Sequence, residues 1–67
     1  MSNWKLYYFT AFDGSNEIVS SNVRAYSEQE ARNKIMQELN SPSFARFRPY
    51  TNIRIDIYKV EDLGYRG

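Results

Sequence analysis

Cysteine and histidine are both missing from this 67-residue chain. Without cysteine, no disulfide framework can stiffen a small core and no thiolate nucleophile is on hand. Without histidine the commonest general base is gone, and the two absences together remove the usual zinc ligands. The sequence therefore predicts no catalytic residue, no metal site and no cofactor. Glycine occurs only three times and never in a phosphate-cradling pattern, so no nucleotide site is expected. No apolar run approaches the ~20 residues that cross a bilayer, and no basic segment followed by an apolar one opens the chain. The expectation is cytoplasmic residence with no membrane partner. Neither sign of charge is in excess: nine Lys and Arg stand against eight Asp and Glu, which excludes strong whole-molecule steering toward polyanions.

Aromatic residues, by contrast, are plentiful: six Tyr, four Phe and one Trp. They concentrate in Trp4-Lys5-Leu6-Tyr7-Tyr8-Phe9-Thr10-Ala11-Phe12, a strand-like run that is apolar at both parities. Successive strand side chains point to opposite sides, and a chain this short buries only ~60% of its unfolded surface. Part of that strand must therefore lie outside a two-layer core. Asp13-Gly14-Ser15-Asn16 is a turn cluster, and a two- or four-residue loop there sets Thr10 against Val19, Tyr8 against Ser21, Leu6 against Val23 and Trp4 against Ala25. The second strand runs from about Glu17 to Tyr26.

Ser27-Glu28-Gln29-Glu30 is a capping box: the Ser27 hydroxyl accepts from the Glu30 amide while Glu30 reaches back to the Ser27 amide. Ala31, Ile35 and Leu39 then recur at four-residue spacing, with Met36 beside them, as an amphipathic helix requires. Asn40, read as a left-handed cap, and Pro42 end it. Ile53, Ile55 and Ile57 alternate with Arg54, Asp56 and Tyr58 in a last strand over 52–60. The order ββαβ predicts an α+β fold: a three-stranded antiparallel sheet in spatial order 2-1-3 with one helix on one face. Residues 1–67 form a single small domain, with 63–67 as a mobile tail.

This register predicts a core of Trp4, Leu6, Tyr8, Val19, Val23, Ala25, Ala31, Ile35, Leu39, Ile53, Ile55 and Ile57. It leaves Lys5, Tyr7, Phe9, Ala11, Ile18, Arg24, Arg54, Asp56 and Tyr58 on the other face. Tyr7, Phe9 and Tyr58 would then form an aromatic strip beside Arg24 and Arg54, residue types that anchor protein interfaces and also stack on bases. Residues 41–54 add Arg46, Arg48 and Arg54 without an acid among them. The predicted partner-binding residues are thus Tyr7, Phe9, Tyr58, Arg24, Arg46, Arg48 and Arg54. The competing expectation is that Phe44, Phe47 and Tyr50 fold over this face as a second small core, since long loops rich in aromatics usually pack on something. Asp56, Glu61 and Asp62 read as a solvated face, and the Asp13 turn lacks the ligand spacing of a calcium loop.

The segment Val23-Arg24-Ala25-Tyr26-Ser27-Glu28-Gln29-Glu30-Ala31, a strand running into a capped helix ahead of a closing strand, resembles short proteins common in bacteriophages and mobile elements, including some anti-CRISPR proteins. The resemblance implies a non-enzymatic protein that inhibits by occluding a surface of a host protein or complex in the host cytoplasm. A small nucleic-acid-binding module and a homo-oligomeric accessory protein, such as a homodimer, are the alternatives.

Overall fold

Gly14, with a φ of 63°, and Ser15 close a tight hairpin between β1 (Asn3–Asp13) and β2 (Asn16–Ala25). The computed structural model describes residues 3–65. Helix α1 (Glu28–Leu39) follows β2, then a 3-10 segment (Pro42–Phe47), then β3 (Ile53–Tyr65). The sheet is antiparallel with β1 in the middle, in the order β2-β1-β3. The α+β fold and strand order expected from the sequence are the observed ones.

The register of β1 against β2 is not. Asp13 pairs with Asn16 and Phe12 with Glu17, as a two-residue loop dictates, but the next pair is Ala11 with Val19. Ile18 is an extra residue on β2, a β-bulge that shifts all later pairs by one. Phe9 consequently faces Ser21, Tyr7 faces Val23 and Lys5 faces Ala25. Because strand side chains alternate, this single residue exchanges the two faces of β1 relative to β2. Tyr7 and Phe9, expected on the outer face, are buried at 4% and 5% exposure, and Ala11 is fully sealed. Trp4, Leu6 and Tyr8, expected in the core, take the other face.

The core accordingly joins Phe9 and Ala11 to Ile35 and Leu39 of α1, and Tyr7 to Ala25 and Ala31. Val19, Val23, Ile53, Ile55 and Ile57 pack around these clusters on the predicted side. Sealing Ile35 and Leu39 contributes roughly 1.5–3 kcal/mol each. The segment after the helix does not cross to the outer face. Phe44 and Tyr50 pack against the same cluster as Ile35 and Leu39, and the Tyr50 hydroxyl donates to the Leu39 carbonyl at 2.8 Å. That bond supplies one of the helix-end acceptors with a donor.

At the helix start, Ser27 Oγ accepts from the Glu30 amide at 3.1 Å, as expected. Glu30 reaches one residue further than expected, its Oε1 accepting from the Tyr26 amide at 2.6 Å. Asn40 closes the helix with a φ of −93° in place of the expected left-handed conformation, its amide and side chain both donating to Met36. Two helix cations reach both outer strands: Arg32 Nη1 donates to the Ile55 carbonyl at 3.1 Å and Lys34 Nζ to the Arg24 carbonyl at 2.8 Å. The expected tail over 63–67 is strand as far as Tyr65, which pairs with Asn3. Positions 66 and 67 lie outside the described residues. Among the described residues no helix is long and apolar enough to cross a membrane.

Candidate functional site

With α1 and the 3-10 segment both on one side, the other side of the sheet is covered by no element among the described residues. Its central row comes from β1: Leu6, Tyr8, Thr10 and Phe12, with Trp4 at the end of the strand, where Lys34 of α1 and Tyr26 close on its ring. The ladder brings Glu17, Ser20, Asn22 and Arg24 beside it from β2, and Arg54, Asp56, Lys59 and Glu61 from β3. A second bulge, at Tyr58, falls between the pairs Phe9–Ile57 and Tyr8–Lys59. It places the Tyr58 ring 6.4 Å from that of Tyr8 and leaves it 63% exposed.

Cations lie over three of these rings. Arg54 sits 4.3 Å from the centre of Phe12, Lys59 5.1 Å from Tyr8, and Lys34 5.3 Å from Trp4. Each contact is a cation–π attraction that holds a charged tip against an apolar surface. Trp4 also meets Tyr26 edge-on at 4.7 Å. Arg54 is ion-paired with Asp56. Tyr8 donates its hydroxyl to Glu61 at 3.1 Å, and that bond, with burial and the nearby Glu61 charge, raises the phenol above its ordinary value. The face thus combines apolar rings with three cations (Arg24, Arg54, Lys59) and three carboxylates (Glu17, Asp56, Glu61) placed by the ladder. Such a surface can bind by apolar contact and charge-assisted hydrogen bonds.

The structure divides the predicted site in three. Tyr58, Arg24 and Arg54 stand on the open face as expected. Tyr7 and Phe9 do not, because the Ile18 bulge turns them under the helix. Arg46 and Arg48 are exposed, but they belong to the segment whose Phe44 packs on the helix-side core, and Arg46 stacks on Phe47 at 5.0 Å. They do not join the strip.

Sequence reasoning missed Trp4, Leu6, Tyr8, Phe12, Lys59 and Glu61. The signal for the β1 residues was Ile18-Val19: two adjacent apolar residues cannot both face the core of a regular strand, whereas a bulge lets both pack on it, as they do. Lys59 and Glu61 reach the face through the bulge at Tyr58.

On the helix side, a shallow pocket of about 360 Å³ opens between α1 and β2 above Phe9, Val19, Val23, Ile35 and Phe44. Its cation, Lys34, is already engaged by the Arg24 carbonyl and the Trp4 ring. Among the described residues no group of three or more Asp and Glu side chains could hold a metal ion. No protein-family model, curated protein or solved structure matches the chain.

Proposed function

We propose that this chain is a non-enzymatic binding protein that occludes a surface of a host protein with the uncovered face of its sheet, in the manner of phage-encoded inhibitors of the anti-CRISPR or host-takeover kind. The observation that carries the reading is the placement of both covering elements on one side. They leave Tyr8 and Phe12 half-buried on the uncovered side, with the exposed Tyr58 beside them. Aromatics and Arg are the favoured anchors of protein interfaces. The balance of cations and carboxylates suits the mixed surface of a protein better than a run of phosphates.

Capture of a host protein from lysate tests this. Tyr58→Ala and Arg54→Glu are expected to reduce capture at least tenfold, while Arg46→Glu/Arg48→Glu retains it. Equal capture by all the variants contradicts the reading. Single-stranded nucleic acid is the alternative, since the same face offers rings beside cations. Salt separates the two: six to ten phosphate contacts lose about 10³–10⁵ in affinity between roughly 50 and 200 mM salt. Binding through this face is expected to lose less than about tenfold over that range, because apolar contacts are not screened.

A further inference from the structure

β3 is the longest strand, thirteen residues, and only one of its sides is paired, against β1. Among its described side chains, the exposed apolar ones are Tyr58, Val60 and Leu63, at 63%, 50% and 42%. The bulge at Tyr58 gives it an unusual face pattern. Before the bulge, Arg54 and Asp56 oppose Phe12 and Thr10 on the open face, while Ile55 and Ile57 oppose Ala11 and Phe9 on the helix face. After it, Lys59 and Glu61 oppose Tyr8 and Leu6 on the open face, and Val60 opposes Tyr7 on the helix face. Parity along β3 therefore reverses at its middle.

Directly opposed residues of antiparallel strands share a face, so a strand pairing with its own copy must match like faces. In a regular strand this forbids a two-fold axis between adjacent residues. In β3 the bulge permits one between Ile57 and Tyr58, where the faces differ only at the central pair: Ile57, on the helix face, meets Tyr58, the extra residue, on the open face. That register sets Arg54 against Glu61 of the other copy and Asp56 against Lys59, each twice by symmetry, all on the open face. It also sets Ile55 against Val60 on the helix face. Opposite charges meet at each charged position of the open face, and on the helix face Ile55 meets Val60, with Ile53 meeting Asp62 at the two ends of the pairing.

We infer that β3 is an edge for self-association, on which a second copy of this chain pairs antiparallel over residues 53–62 to give a continuous six-stranded sheet. The open faces of the two copies become one surface of doubled length. The Arg32 bond to the Ile55 carbonyl is compatible with this pairing, because a carbonyl accepts two donors.

Sedimentation equilibrium of the chain alone, with no partner added, tests the inference over a range of about 10 µM to 1 mM, where weak dimers become populated. The parent is expected to reach twice its 8.0 kDa. Lys59→Glu sets like charges against Asp56 on both sides of the axis and is expected to weaken the dimer roughly tenfold or more. Asp56→Lys does the same, and the double exchange restores the parent mass. Arg54→Glu and Glu61→Arg form an independent set with the same expected pattern. It decides the matter should the first set lose the parent's circular dichroism spectrum. A parent that stays at 8.0 kDa to about 1 mM overturns the inference. So does a dimer indifferent to the single exchanges, or one that folded double exchanges fail to restore.

Discussion

Asp13 ties the hairpin turn to the start of β3. Its carboxylate accepts from the Thr51 amide and hydroxyl, both at 3.1 Å, and from the Asn52 amide at 2.8 Å, while the Gly14 amide donates to the Asn52 carbonyl. The Asn52 bond is the main cause that holds the carboxyl below its ordinary 3.8; desolvation opposes it, and the two Thr51 bonds add to the lowering. Asp62 is lowered in the same direction by the Gly64 amide and by Asn3. A folded value below the unfolded one means that the unfolded chain takes up protons first as the pH falls. Stability from these groups is therefore present above 3.8 and is lost as the pH drops through the lower folded values. Melting midpoints taken from about pH 5 to pH 2 should fall steeply in the parent and less steeply in Asp13→Asn, which starts from a lower midpoint at pH 5. Parallel curves for the two proteins would mean that Asp13 does not carry the acid sensitivity. Tyr8 runs the opposite way: its raised value leaves the Glu61 bond intact until the pH climbs past 10.0.

Among the elements, β1 decides most, because its two faces are nearly equal in apolar content and the choice between them rests on a neighbour. Phe9→Ala empties the centre of the larger cluster and should cost roughly 3–5 kcal/mol. A domain of this length has only about 3–10 kcal/mol in total, so much of the population should unfold. Tyr58→Ala, at an exposed position, should stay within ~0.5 kcal/mol of the parent in chemical denaturation. The reverse ranking would place β1 in the other register. Element types, strand order and helix faces were legible in the sequence because each had a local cause: a turn cluster, a capping box, a four-residue apolar spacing, three alternating isoleucines. Face assignments on β2 and β3 followed from their own alternation and hold for Val19, Val23 and the three isoleucines, but not for Ile18, expected on the outer face and packed on the core through the bulge. On β1, alternation gave no answer, since Tyr7 and Phe9 are as apolar as Leu6 and Tyr8. Its assignment was inherited from the turn through Ile18, and the extra residue there reversed it. Arg46 and Arg48 were separated from the strip for a different reason, a tertiary one. Tyr50 finds its acceptor at the helix end, which draws the whole segment to the helix side.

At the scale of the whole molecule, the chain is a one-sided object. A long thin sheet, within a body 38 × 22 × 15 Å across, carries its hydrophobic cover on one side and, on the other, the rings of Phe12 and Tyr8 beneath Arg54 and Lys59. Arg32 and Lys34 extend that cover to a carbonyl on each outer strand. Near-neutral net charge leaves recognition to the local pattern of rings and paired charges on the exposed face. Hydroxyl-radical footprinting of the free and partner-bound chain, read residue by residue by mass spectrometry, tests that division most directly. Binding should lower oxidation of Trp4, Tyr8, Phe12 and Tyr58 and leave Met36 and Phe44, on the helix side, unchanged. Protection of Met36 and Phe44 with the open-face rings still oxidised at their free rates would contradict it.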